Sequence, residues 1–261
     1  MKIKTLTILF FFFALSTHSQ FSVLKIQGDV FLQTQNRQLK IGDKISDKDI
    51  LIFGSMRDKI SLFHSEKGCV QAIPKTSMTV MLMDVLVVNN QRDTLRKMGS
   101  DLSVYFCSDS IIIIGEVLQK RIPFSYKMSE KSFFRIEMIY GEAEILTDLK
   151  FNEDTLLISR NDIYKVDNQE IDKTKLSKVQ LFYRISSKYK TAICRNLRLI
   201  FLDKTQIQKS TDVIVAEMRK AKLSDTEITK LVCIFLNQNY GIPDEANFHN
   251  WIFETYQLKK E

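Results

Sequence analysis

From Phe21 onward, apolar residues come in short runs broken by polar turns. The breaks recur about every 8–12 residues, the rhythm expected of an all-β module. FSVLKIQ runs into Gly28-Asp29, and VFLQT into QNRQ. LKI is followed by Gly42-Asp43, ILIF by Gly54-Ser55 and KISLFH by SEKG, with Gly68 at the end of that turn; CVQAI is closed by Pro74. Glycine supplies positive φ where strands reverse, and aspartate bonds its own backbone there. Gly28, Gly42, Asp43 and Gly68 therefore read as structural turn residues. Asp43, Asp47 and Asp49 raise the alternative of a metal or acid site. Their spacing lacks the ligand pattern and central glycine of a calcium loop, so the turn reading is preferred.

The polar stretch NNQRDTLRKMGSD (89–101) reads as a linker or long loop. Strand-like runs then resume: LSVYFC, SIIIIGEVL, FFRIEMIYGEAEIL, DTLLIS, IYKV, KVQLFYRI and KTAICRNLRLIFL. Phe134, Ile136, Met138 and Tyr140 alternate onto one face before Gly141 turns the chain. This predicts a second, sandwich-like β unit over 102–203; one continuous β domain is the alternative. After residue 203 the period changes. Ile207, Ile214 and Met218 share one helical face. Ser224 and Glu227 form a capping box before Ile228, Leu231, Val232, Phe235 and Leu236, and Gly241 with Pro243 ends that helix. Phe248, Trp251 and Ile252 mark another. The expected fold is mainly β, with two or three short amphipathic helices over 204–261 that either cap the fold or dock a partner.

Residues 1–19 follow a different pattern. Lys2 and Lys4 precede an apolar run from Leu6 to Leu15, with Thr17 and Ser19 placed for a cut before Gln20. That order is a secretory signal peptide. The run is short of the ~20 apolar residues a spanning helix needs. Elsewhere MTVMLMDVLVV is interrupted by Asp84. The expected product is exported, periplasmic or secreted, with no spanning segment once the leader is cut.

Composition refines this. The apolar fraction of 44% makes disorder improbable. The formal charge of +7 falls to +5 when Lys2 and Lys4 leave with the leader. The charge is uneven: Lys173 to Lys209 holds ten bases and one acid, Asp203. Lys173, Lys175, Lys178, Arg184, Lys188, Lys190, Arg195 and Arg198, interleaved with Phe182, Tyr183 and Tyr189, form a candidate anion-binding set. Export argues against nucleic acid as the target and for an anionic glycan, a lipid surface or an acidic protein. A solvated face with charges pointing several ways is the competing reading. Cys69, Cys107, Cys194 and Cys233 are widely and irregularly spaced, which does not resemble a disulfide framework.

The stretch VLKIQGDVFLQTQNRQLKIGDKISDKDILIFGSMRDKISLF resembles the FecR-like extracytoplasmic β domain. Gly28, Val30, Leu39, Gly42, Asp43 and Ile45 carry that resemblance, which covers about residues 22–73. It implies a non-catalytic sensing or scaffolding module over 20–88, outside the inner membrane. The chain lacks the family's cytoplasmic sigma-factor-binding segment and membrane helix. The remaining layout is similar to exported proteins of Bacteroidetes-type bacteria.

Catalytic signatures are missing from the sequence: no Gly-x-Ser-x-Gly, Walker loop or Gly-x-Gly-x-x-Gly. After the leader only His64 and His249 remain, neither with a second ligand at metal spacing. Glu142 and Glu144 resemble a glycosidase pair on one strand face, a spacing also common on solvated strands. No catalytic residue, metal or cofactor is expected. The leading expectation is an exported non-enzymatic binding or scaffold protein; the alternative is an exported hydrolase whose acids assemble only in the fold.

Overall fold

The computed structural model describes residues 20–74, 77–82, 94–99, 101–107, 110–166, 169–186 and 189–258. The leader, residues 83–88 of MTVMLMDVLVV, residues 89–93 and 100 of the expected linker, and Lys188 lie outside them. The chain is mainly β, as its alternation predicts, with its three longest helices at the C-terminal end.

The first module comprises β1 (Gln20–Gln27), β2 (Val30–Leu32), β3 (Arg37–Gln38), β4 (Lys44–Ser46), β5 (Ile50–Phe53), β6 (Lys59–His64), β7 (Gly68–Ala72) and β8 (Thr79–Met81). They form two sheets, ordered β4-β1-β6-β7 and β3-β2-β5-β8. Val23, Ile60, Leu62 and Val70 of one sheet meet Val30, Leu32, Leu51 and Phe53 of the other in a dry core. Glycine and aspartate build the module's turns. Gly28 has φ +82°, and a Cβ there would land on the Asp58 carboxylate. That carboxylate accepts the N–H groups of Asp29 and Ser55 at 3.1 and 2.9 Å. Gly42 (φ +93°) donates to the Val23 carbonyl at 2.8 Å, while Val23 donates to Asp43 at 2.9 Å. Burial opposes ionisation of Asp43, but the Arg37 guanidinium and the Lys40 N–H hold its carboxyl below the usual range. Gly68 also has positive φ, at the start of β7. Asp49 accepts the Ser46 N–H at 2.7 Å, and Asp47 the Ser46 hydroxyl at 3.0 Å.

The middle of the chain comprises α1 (Leu102–Cys107), β9 (Ile111–Ile114), β10 (Val117–Arg121), β11 (Ser132–Tyr140), β12 (Ala143–Asp148), β13 (Lys150–Asn152), β14 (Thr155–Ser159), α2 (Arg160–Tyr164), β15 (Lys165–Val166), β16 (Gln169–Glu170), β17 (Leu176–Ile185), β18 (Tyr189–Cys194) and β19 (Leu199–Leu202). The sheets β12-β11-β17-β18 and β10-β14-β13 enclose a second core around Phe134, Ile136, Met138, Leu156 and Leu181. Three expectations fail here. Ile163 and Tyr164 of IYKV end the helix α2, where Ile163 is buried, and only Lys165 and Val166 are strand. LSVYFC is the helix α1, although its Val, Tyr and Phe content favours strand. Leu102, Tyr105 and Phe106, at helical spacing, are all buried, and Asp101 accepts the Ser103 N–H at 2.8 Å to start the turn. Tertiary burial overrides propensity. The cysteines also pair: Cys107 at the end of α1 is bonded to Cys194 at the end of β18. Irregular spacing concealed a pair 87 residues apart, because folding sets their Cα atoms 5.3 Å from each other. Cys69 and Cys233 are buried and lie outside that bond, and burial pushes the Cys69 thiol up to about 12.

The chain ends in α3 (Lys204–Lys220), α4 (Asp225–Asn239), β20 (Ile242–Pro243) and α5 (Glu245–Tyr256). The Ser224–Glu227 capping box is formed. The apolar faces of the three helices make a third core, which lies between the two β parts rather than at an end. Leu24, Phe63 and Cys69 reach it from the back of the β4-β1-β6-β7 sheet. Ile112, Ile114 and Leu202 reach it from a parallel sheet ordered β19-β9-β20. The other two isoleucines of β9, Ile111 and Ile113, face the second core. The unbroken IIII run is thus a strand buried on both sides. Two walls with apolar side chains on both faces separate three cores.

Polar contacts pin the helices to the first wall. Ser61 Oγ donates to Asn239 Oδ1 at 2.7 Å, and Lys44 pairs with Glu217 at 2.8 Å. Lys25 Nζ donates to the Asn239 carbonyl and lies 3.6 Å from the centre of the Tyr240 ring. Burial, helped by the charge of Lys59, lowers its pKa to about 8.

Candidate binding surface

The β12-β11-β17-β18 sheet has an inner face on the second core and an outer face on solvent. Strand alternation decides which side chain goes where. Register then lines the outward residues up in rows. Arg184 of β17 lies between Phe133 of β11 and Lys190 of β18. Phe182 lies between Arg135 and Ala192, with Asp148 beyond Arg135. Gln180 is opposite Glu137, and Lys178 opposite Ile139. Three cations from the basic segment, Lys178, Arg184 and Lys190, therefore share one face of two adjacent strands. Neither of those strands carries an acidic residue.

The charges on this face differ in state. Arg135 makes a two-pronged pair with Asp148, and its pKa is raised by that bond first. Lys190 reaches back across the sheet to Glu137, which is only 7% exposed, and passes 3.8 Å from the centre of the Phe182 ring. A cation over an aromatic face gains roughly 0.5–1 kcal/mol when exposed. Among the described residues, Lys178 and Arg184 have no acidic partner. Arg184 faces Lys190 directly, a like-charge juxtaposition that is unfavourable across strands.

The remaining residues of the basic set lie elsewhere. Lys175 ends the short 3-10 turn before β17 and adds to the field lowering the Asp172 pKa, after the bonds from Thr174. Arg195 and Arg198 are exposed in the bend after β18, where the Arg198 carbonyl accepts the Ile111 N–H at 2.9 Å. The side chain of Lys173 lies outside the described residues. Glu142 sits in the β11–β12 turn and only Glu144 is on β12, so the two do not form a pair on one strand. His64 is a buried β6 residue whose Nδ1 accepts the N–H groups of Glu66 and Lys67. Among the described residues, no group of three or more His, Cys, Asp or Glu side chains is placed to hold a metal ion.

Sequence reasoning missed a buried polar node. Asp244 caps α5 by accepting the Asn247 N–H at 2.9 Å through Oδ1. Its Oδ2 accepts the Tyr105 hydroxyl at 2.7 Å and Lys120 Nζ at 2.6 Å. Asp244 is fully buried, and the Lys120 side chain is 8% exposed. Burial first, and then the Asp244 charge, pushes the Tyr105 phenol well above its ordinary pKa. The signal was present: Lys120 follows Leu118 at inward parity in β10, and Asp244 follows Pro243 at a helix start. Beside Tyr105 lies a cavity of about 200 Å³ lined by Arg96, Lys97, Gly99, Asp101, Val104 and Tyr105. Its one carboxylate, Asp101, is engaged by the hydroxyl and N–H of Ser103.

No protein-family profile, curated protein or solved structure matches the chain.

Proposed function

We propose that this chain is an exported, non-enzymatic binding or scaffold protein of the cell envelope. In this reading a FecR-like module forms the first β part, and an anionic ligand is recognised on the β17–β18 half of the middle sheet. The observation that carries it is the alignment of Lys178, Arg184 and Lys190 on one face of two strands without acids. Two of the three have no acidic partner among the described residues. The Cys107–Cys194 pair supports export, since such bonds persist in oxidising compartments.

The test is binding of heparin, as an anionic glycan, across a salt series. Lys178→Glu with Arg184→Glu is the informative variant. Lys190 is left alone because a carboxylate there would meet the buried Glu137. Exposed charges act over roughly 8–10 Å at physiological salt, so wild-type affinity is expected to fall steeply as salt rises. The double variant is expected to bind about tenfold more weakly, about 1.4 kcal/mol, with an unchanged melting temperature. Equal binding by the two proteins, or no wild-type binding at low salt, would overturn the reading.

A further inference from the structure

β18 is the last strand of its sheet. Its Ile193 and Cys194 are buried, and α1 packs along it and is bonded to it through Cys107. Tyr189 to Ala192 are all exposed. An edge strand directs alternate N–H and C=O groups away from its neighbour, a ready template for another strand. Among the described residues, no backbone hydrogen bond leaves 189–192 except toward β17.

The side chains around this edge are sorted by face. Arg184 and Lys190 stand opposite each other on the outer face. One position along, Ile185 and Tyr189 stand opposite each other and project to the other side. Both are apolar and exposed, at 45% and 69%. Lysine on an edge commonly guards against unwanted pairing. Here the Lys190 ammonium is drawn back over Phe182 to Glu137, so it lies on the face and leaves the edge uncovered.

The geometry points to an extended segment of an acidic protein partner that adds to β18 as a fifth strand and alternates acidic with apolar residues. Its carboxylates lie on the face that carries Arg184 and Lys190, and its apolar side chains cover Ile185 and Tyr189 on the other. Main-chain bonds supply affinity and the alternation supplies specificity, as in other strand-addition complexes. This rests on the anion-binding reading above and names the partner class for that same surface. The opposite edge, β12, carries Glu144 and Asp148, so a second copy of this chain is the competing occupant.

The experiment uses labelled peptides of about six residues, a typical strand length. One alternates Glu and Val; a second has the same composition in two blocks. Two further versions of the first carry backbone N-methyl groups on the odd or the even residues. The alternating peptide is expected to bind about tenfold more tightly than the block peptide. One of the two N-methylated versions is expected to lose binding while the other keeps it, because only one edge of the added strand faces β18. Ile185→Ser is expected to weaken the alternating peptide and leave heparin binding unchanged. Equal affinity for alternating and block peptides, or no effect of either methylation, with heparin binding intact, overturns this inference alone. Loss of all anion binding overturns the underlying reading as well. Concentration-dependent self-association in light scattering that the peptide does not compete would assign the edge to a second copy and reject the peptide partner.

Discussion

The imidazole of His64 lies 4.9 Å from the Phe21 ring centre and accepts two backbone N–H groups through Nδ1. Burial, and then the charge of Lys67, lowers its pKa, against weaker opposing contributions from Glu66 and Asp47. The neutral ring is therefore the folded form. The unfolded chain takes up the proton near pH 6.5 while the folded chain does so only at lower pH. Stability from this residue is complete above about pH 6.5 and is lost as pH falls below it. Denaturant titrations between pH 8 and 5 are expected to show that loss in the wild type, and His64→Asn to flatten it. A wild-type stability that stays level through this window would contradict the account. The same scale explains the turn acids. Asp43, Asp47 and Asp49 each answer a backbone or side-chain donor in their own turn, so turn chemistry legible in the sequence was sufficient for them.

Among the elements, α1 shows where local reading stops. Its six residues are too few to be stable alone, since isolated helices below ~12–15 residues are marginal in water. It is held by Tyr105 and Phe106 in the second core and by the Cys107–Cys194 bond. Closing so long a loop constrains the unfolded chain, and typical disulfides contribute about 2–4 kcal/mol. Reduction with a thiol, or Cys107→Ser with Cys194→Ser, is expected to lower stability by that amount in denaturant unfolding. No change on reduction would mean that the bond does not hold α1 in place. The β17–β18 pair is the opposite case. Composition gathered the cations into one segment, but strand register was needed to set Arg184 beside Lys190 and to take Lys190 to Glu137.

At the scale of the whole molecule, the Tyr105–Asp244–Lys120 node joins three segments far apart in the chain: α1, β10 and the start of α5. Removing one partner of a buried charge pair typically costs about 3–5 kcal/mol, because the other charge is left uncompensated. Asp244→Ala is expected to cost that much in urea unfolding, followed in parallel by Trp251 fluorescence and circular dichroism. A cost under about 1 kcal/mol, the range of surface ion pairs, would mean that water reaches the node. From local period and turn chemistry, the sequence by itself determined the β-rich body, the glycine and aspartate turns and the Ser224 capping box. Each depends on residues a few positions apart, whose sterics and hydrogen bonds act without the rest of the chain. Only the tertiary structure decided that the helices lie between the two β parts, that β9 serves two cores, that Cys107 meets Cys194 and that Lys120 meets Asp244. Those outcomes follow from burying every apolar face at once, a condition on the whole chain that no short window of sequence contains.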